Sequence, residues 1–420
     1  MLQCSFAKDI LINAEIALPT SKSILNRMLV IAQLSGISTV DSFSEEASDV
    51  KTMCSLLQKV EFNLSDDEGI ELNVGDAGTV MRFLTAVLAV TDGKWILTGS
   101  ERMKQRPIKP LAEALQRLGA SLVFLEKDGF PPLLIEGDRN LRGGKVQLDA
   151  GISSQFISAL MMIGPYLKGG LHIELVGDII SLPYIRMTQS LMEKSGAVVQ
   201  FSGQEIIIEE EQYGKVAIGD MLEPDWSAAA FWFETVALSP NSKVLLKGLR
   251  SNSVQGDSVL REIFAHLGVA SSFIEQGLLL ENVAEFVKEF DFDFSNCPDL
   301  AQAVIACCAA LQIKGRFTGL HTLRVKETDR IEALHCELDK LGFGLKVLDN
   351  TILLDGTCIS NSLDVVPLSK CYGDHRMAMS LSPIALIKGK IRLDEEDVVK
   401  KSYPHFWEDM VLAGMMIENC

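Results

Sequence analysis

No two cysteines are spaced as Cys-x-x-Cys, and the nine present are scattered, with Cys307 and Cys308 adjacent. The sequence therefore suggests neither a zinc site nor a disulfide framework, and a reducing cytoplasm is the expected setting. Long apolar runs are missing too. The best stretches, 159–167 and 303–311, are short, and the first contains Gly164-Pro165, so no membrane span is expected. From Met1 to Asp9 no basic segment leads into an apolar one, and no signal peptide is read. Gly/Ser-rich linkers, Pro-rich linkers and low-complexity tracts are absent. Positive charge is in deficit, with 39 Lys and Arg against 56 Asp and Glu and a net charge of −17. That balance argues against nucleic acid and anionic membranes as partners.

What is present describes a folded globular chain: 47% hydrophobic and 23% charged residues over 420 positions. That length exceeds one ordinary core, so two domains are expected. A repeat emerges when helix ends are aligned. Segments 110–119, 187–196, 259–268 and 331–342 each read as an amphipathic helix stopped by a glycine. The glycines fall 77, 72 and 74 residues apart. After each comes an apolar strand, a polar turn and a second strand (132–135, 205–208, 277–280, 351–354). Residues 54–60 followed by 69–74 read as a further copy without the terminal glycine. Glycine after the last helical turn accepts the left-handed conformation of a helix stop. Regular recurrence of helix–strand–turn–strand implies copying of one small α/β motif. Pro19-Thr20 and Glu223-Pro224 are candidate crossings between two halves.

Against so acidic a background, clusters of cations carry information. Arg324-Val325-Lys326-Glu327-Thr328-Asp329-Arg330 opens a patterned helix running to Leu341, on which Lys326 and Arg330 would share a face. Like charges at that spacing repel unless an anion lies between them, and a helix start favours an anion. Glu327 stands beside them for proton work or for orienting a lysine. Pro19-Thr20-Ser21-Lys22-Ser23-Ile24-Leu25-Asn26-Arg27 places a lysine, an arginine and hydroxyls at another helix start, with Ser21 or a neighbour as cap. Gly75-Asp76-Ala77-Gly78-Thr79-Val80-Met81-Arg82 lets backbone amides approach an oxyanion, without the GK[ST] ending of a nucleotide P-loop. Arg102, Lys104, Arg106 and Lys109 form a third cationic stretch with no acid inside it. Ile152-Ser153-Ser154-Gln155 and Ser181-Leu182-Pro183-Tyr184 offer neutral donors at helix starts. Asp374-His375-Arg376 and Lys401-Ser402-Tyr403 complete the set. Taken singly, each reads equally well as a capped, solvated helix start.

Taken in order, these segments resemble the 5-enolpyruvylshikimate-3-phosphate (EPSP) synthase family. The runs LRVKETDR (323–330), DHRMAM (374–379), AGTVMR (77–82) and SSQF (153–156) carry the resemblance, which extends from Ser21 to Pro404. It implies an α/β fold of two similar domains, each of three βαβαββ units in an inside-out α/β barrel, closing on substrate. The domains would span 21–223 and 1–20 plus 224–420. It further implies joining of phosphoenolpyruvate to the 5-hydroxyl of shikimate 3-phosphate with release of phosphate, by a cytoplasmic monomer needing no metal or organic cofactor. Phosphoenolpyruvate would meet Lys22, Gly78, Arg106, Gln155, Arg330, Arg376 and Lys401. Shikimate 3-phosphate would meet Lys22, Ser23, Arg27, Ser153, Ser154, Gln155, Ser181, Tyr184, Asp299 and Lys326. Asp299 matches the general base, and Glu327 and Lys22 match the groups that move the methylene proton.

Departures from the family pattern are Thr20 for glycine, Leu25 for serine, Asp76 for asparagine, Phe83 for proline, and Thr322-Leu323 for asparagine-tryptophan. They imply altered affinity with activity kept, since a neighbouring arginine could neutralise Asp76 and Thr322 could still donate. Retention of Gly78 implies sensitivity to glyphosate, tempered by Asp76 and Phe83. The related transferase acting on UDP-N-acetylglucosamine is disfavoured, because Lys22 is followed by Ser23 in place of asparagine and no cysteine lies near Arg106. A relative that binds without turnover would leave Lys22, Asp299, Glu327, Arg330, Arg376 and Lys401 unexplained.

Overall fold

A computed structural model describes residues 1–37, 47–62, 69–214, 218–359 and 366–419. The chain divides into two compact units, one of Met1–Ser21 with Glu223–Cys420 and one of Lys22–Leu222. It leaves the first unit and returns at neighbouring points. Thr20 and Pro224 bridge antiparallel, Ser21 N–H donates to the Glu223 carbonyl at 2.8 Å, and Asp225 N–H donates to the Pro19 carbonyl at 2.9 Å.

Five four-stranded sheets are present among the described residues, and all share one topology. In the Lys22–Leu222 unit, Ile70–Asn73 pairs parallel with Gly93–Thr98, which pairs antiparallel with Leu133–Gly137, itself antiparallel to Ser121–Phe124. Arg142–Asp149, Lys168–Val176, Glu205–Ile208 and Val199–Ser202 repeat that order. The other unit has three sheets. Asn13–Ile16 pairs with Lys243–Lys247, and Gly277–Asn282 and Val269–Ile274 follow. Phe292–Asp293, Lys314–Thr318, Thr351–Cys358 and Phe343–Leu348 form the next. In the last, Leu368–Ser369, Lys390–Leu393 and Met415–Asn419 are joined by Leu2–Phe6 from the other end of the chain. A parallel pair needs a crossover connection, and a helix supplies it each time.

The crossover helices explain the inside-out arrangement. Ala301–Ala310 and His375–Leu381 bury every residue, and Trp226–Leu238 buries all but Ser227. A helix apolar on all sides must be surrounded by protein, and these three pack on one another at the centre of their unit. Lys22–Leu34, Gly78–Ala89 and Ser154–Ile163 do the same in the other unit. The helices before each hairpin are amphipathic and rest on the sheets. Their stop glycines, Gly119, Gly196, Gly268 and Gly342, have φ of 96°, 99°, 86° and 81°, a conformation that costs a side chain about 1–2 kcal/mol.

Two sequence readings need correction. Residues 54–60 do lie in a helix, Ser48–Glu61, but the strand within 69–74 opens the next sheet, pairing with Gly93–Thr98. It does not complete the hairpin of its own repeat. Lys326 and Arg330 do not share a helical face either. Asp329 caps the Arg330–Lys340 helix by accepting from Ile331 and Glu332 N–H, so the helix starts at Arg330. The capping aspartate fixes that boundary.

Candidate active site

In both units most of the candidate residues lie at or near helix starts. Those ends expose backbone N–H groups and partial positive charge. In the unit of Met1–Ser21 and Glu223–Cys420, Arg330 organises the group. It is 2% exposed. Its Nε donates to Asp374 Oδ2 at 2.6 Å, Nη1 to Asp299 Oδ1 at 3.1 Å, and Nη2 to Glu327 Oε2 at 2.9 Å. Asp374 is fully buried and also accepts from Arg376 N–H at 2.9 Å, capping the next helix. Arg376 returns to Asp299, with Nη1 donating to its carbonyl at 2.9 Å and Nη2 lying 3.5 Å from Oδ2. Lys326 Nζ is 3.5 Å from Asp299 Oδ1, and Lys401 Nζ is 3.1 Å from Glu327 Oε1. One network thus joins Asp299, Lys326, Glu327, Arg330, Arg376 and Lys401. Carboxylates, where the sequence reading wanted an anion, separate its cations.

Burial opposes the charge on Asp299, but Arg376, Lys326 and Arg330 outweigh it and hold this carboxyl well below the usual range. Asp257, which the sequence reading missed, lies behind it. Burial and the charge of Asp299 push Asp257 up to about 7, against the hydrogen bond from the Ser227 hydroxyl.

In the Lys22–Leu222 unit, Gly78 begins a helix and two guanidinium groups close on it. A Cβ here would lie 2.7 Å from Arg106 Nη1 and 2.7 Å from Arg82 Nη1. Arg82 Nη1 also donates to the Gly78 carbonyl at 2.8 Å. Arg106 is buried, and no carboxylate within salt-bridge range balances it among the described residues. Gln155 Nε2 donates to Thr79 Oγ1 at 3.0 Å, tying the starts of two helices together, and Ser153 caps the second by accepting from Gln155 N–H. Lys22 Nζ meets Asp49 Oδ2 at 3.0 Å. Ser181 holds a left-handed φ of 53° before the Leu182–Lys194 helix, and Tyr184 stands one turn further. Such strain in a non-glycine residue gathers at functional sites.

Arg27 is placed differently from its neighbours. It is buried, donates to the Ser23 carbonyl at 2.8 Å, Thr188 Oγ1 at 2.7 Å and Ser158 Oγ at 3.2 Å, and lies 5.4 Å from the Phe83 ring centroid. Burial lowers its pKa to about 10. Phe83, the departure from proline, therefore serves as a platform for Arg27. The Ser100 hydroxyl donates to Asp76. Of the cationic stretch 102–109, Lys104 pairs with Glu101 and Glu126 and Lys109 with Asp128, so they are solvated. Ser21 caps nothing, since its hydroxyl is buried without a partner among the described residues. Thr322 Oγ1 is in the same position. Arg82 was visible in the AGTVMR run. Asp257 and Asp49 had no charge pattern around them to mark them.

No helix among the described residues is long and apolar enough to cross a membrane. Residues 8–410 match the family model described as EPSP synthase (3-phosphoshikimate 1-carboxyvinyltransferase). A 3-phosphoshikimate 1-carboxyvinyltransferase of Bacteroides fragilis is 45% identical over 410 residues, 97% of either chain. One from Histophilus somni is 33% identical over 420 residues, covering 95% of this chain and 96% of that one. Solved EPSP synthase structures from Acinetobacter baumannii superpose over both full chains with TM-scores of 0.75 and 0.76 at 20% identity, a likeness of fold. With its repeats, its fold and nearly its whole length accounted for, the chain belongs to the EPSP synthase family.

Proposed function

We propose that this chain transfers the enolpyruvyl group of phosphoenolpyruvate to the 5-hydroxyl of shikimate 3-phosphate, giving EPSP and phosphate in the route to aromatic amino acids. The hydroxyl oxygen bonds to C2 of phosphoenolpyruvate while its proton passes to a base and the methylene carbon gains one. The C2–O bond to phosphate then breaks, and loss of a methyl proton restores the double bond. Asp299 is the base, and Glu327 with Lys22 handles the proton at carbon. A positioned acid or base contributes about 10²–10⁴-fold.

The observation that carries this reading is the convergence of Arg330, Arg376 and Lys326 on Asp299. Without substrate those cations neutralise Asp299 and leave it a weak base. Anions that draw them away restore its basicity at the moment of binding. Phosphoenolpyruvate is assigned Lys22, Gly78, Arg106, Gln155, Arg330, Arg376 and Lys401. Shikimate 3-phosphate is assigned Lys22, Ser23, Ser153, Ser154, Gln155, Ser181, Tyr184, Asp299 and Lys326, with Arg27 bracing Ser23 and Tyr184 from behind. Helix N-termini and a buried Arg106 lacking a carboxylate counterion among the described residues support an anionic ligand. The reading takes the chain to act as a monomer. Phosphate release from the two substrates together, and from neither alone, tests the assignment. No release would overturn it.

A further inference from the structure

The Arg330–Lys340 helix carries a second set of donors, away from its N-terminal arginine. Glu332, His335 and Cys336 stand at positions i, i+3 and i+4, which share one helix face. One ligand atom from each lies within 4.8 Å of the others, the one such group of His, Cys, Asp or Glu side chains among the described residues. The Cys336 thiol donates to Glu332 Oε1 at 3.5 Å, and His335 Nδ1 lies 3.8 Å from the same oxygen. Metal bonds of about 2.0–2.3 Å in tetrahedral geometry set ligand atoms roughly 3.3–3.8 Å apart. Two sides of the triangle are therefore already close to the size that such an ion requires, and the third lies within 4.8 Å. A second observation points the same way. His335 Nδ1 is shut off from solvent and has no hydrogen-bond partner among the described residues. Such a nitrogen is costly to leave unsatisfied, and a cation in the triangle would satisfy it.

We infer that Glu332, His335 and Cys336 form a surface site for a thiophilic divalent cation of the zinc class. On binding, the Cys336 thiol releases its proton to solvent and the thiolate sulfur bonds the ion. Neutral imidazole and the Glu332 carboxylate supply two further bonds, and water takes the fourth position. No electron changes hands. The sequence alone gave no hint, because zinc motifs are recognised by paired cysteines and this set uses one. The ion would fasten the second turn of the helix whose first residue, Arg330, holds Asp299, Glu327 and Asp374. It would thus stiffen the element that supplies the network without touching it.

The test uses the full chain, stripped with a chelator and titrated with Co²⁺ as a spectroscopic stand-in for Zn²⁺. A thiolate-to-cobalt absorption band should saturate at one ion per chain and vanish on adding Zn²⁺. Cys336→Ser and His335→Ala should abolish it, and Glu332→Gln should weaken binding by about tenfold or more. Cys54→Ser, at another partly exposed cysteine, should leave it intact. Metal-free melting temperatures matching the parent would show that the variants fold. Absence of a saturable band, or a band surviving in both Cys336→Ser and His335→Ala, would overturn the site and leave only a thiol–carboxylate hydrogen bond.

Discussion

Arg330 and Asp374 form a two-point ion pair removed from solvent, with Nε–Oδ2 at 2.6 Å and Nη2–Oδ1 at 3.3 Å. The pair does more than balance charge. It fixes the plane of the guanidinium so that the remaining edge faces Asp299 and Glu327. Asp374 in turn starts the helix that carries Arg376.

Asp374→Ala should therefore be costly. It strands a buried guanidinium and removes a helix cap at once. Breaking a buried pair costs about 3–5 kcal/mol. The two carboxylates that Arg330 keeps hold the expected loss to about 3 kcal/mol. Urea denaturation measures it, and a loss below about 1 kcal/mol would contradict the role given to the pair.

Asp299→Ala should lower turnover by about 10²–10⁴-fold. Binding of shikimate 3-phosphate should remain measurable, because the variant removes one carboxylate that competes with an anion for Lys326, Arg330 and Arg376. Steady-state assay with calorimetry separates the two effects. Turnover within tenfold of the parent would remove Asp299 from the role of base.

Gly78→Ala places a methyl group 2.7–2.8 Å from guanidinium nitrogens of Arg106 and Arg82. Both side chains are buried and have little room to retreat. KM for phosphoenolpyruvate should rise. Inhibition by glyphosate, expected to be competitive with phosphoenolpyruvate in the parent, should weaken by a larger factor. An unchanged KM and an unchanged inhibition constant would show that the anion does not sit at this glycine.

Asp257 predicts a pH effect of definite sign. In the folded chain it keeps its proton to about pH 7, against an ordinary value of 3.8. Its surroundings are Asp299 and Asp225, which favour the proton, and Arg376 and Ser227, which oppose it. Between those two pH values the folded state binds the extra proton, so this group's contribution is intact below about pH 4 and is lost as pH rises toward 7. Asp257→Asn removes that slope. Relative to the parent, the variant should gain stability by on the order of 4 kcal/mol from pH 4 to pH 7, and nothing further above. Denaturation curves across that range read the difference directly, and a flat difference would show that Asp257 is ionised throughout.

Much of the repeat could be read from residues, because a glycine stop and an alternating hairpin are local signals. The last repeat could not. Gly414 has φ of 94° after the Phe406–Leu412 helix and the strand Met415–Asn419 follows, but the second strand of that hairpin is Leu2–Phe6. The site was legible as clusters of cations at helix starts, while its internal wiring was not. Nothing in the order of residues says that Arg330 meets Asp374, that Arg27 turns inward to Ser158 and Thr188, or that Lys104 and Lys109 leave the site for surface acids. Those outcomes depend on which side chains the buried helices bring together, and single positions such as Asp257 carry no periodic signature at all.

The pairing of Leu2–Phe6 between Lys390–Leu393 and Met415–Asn419 also sets an order of events during synthesis. The Leu2–Phe6 strand must wait for both of these partners to be made, while the intervening 22–222 segment holds all four strands of each of its two sheets well before then. The inserted lobe can therefore complete both of its sheets before the sheet around Leu2–Phe6 has its last strand.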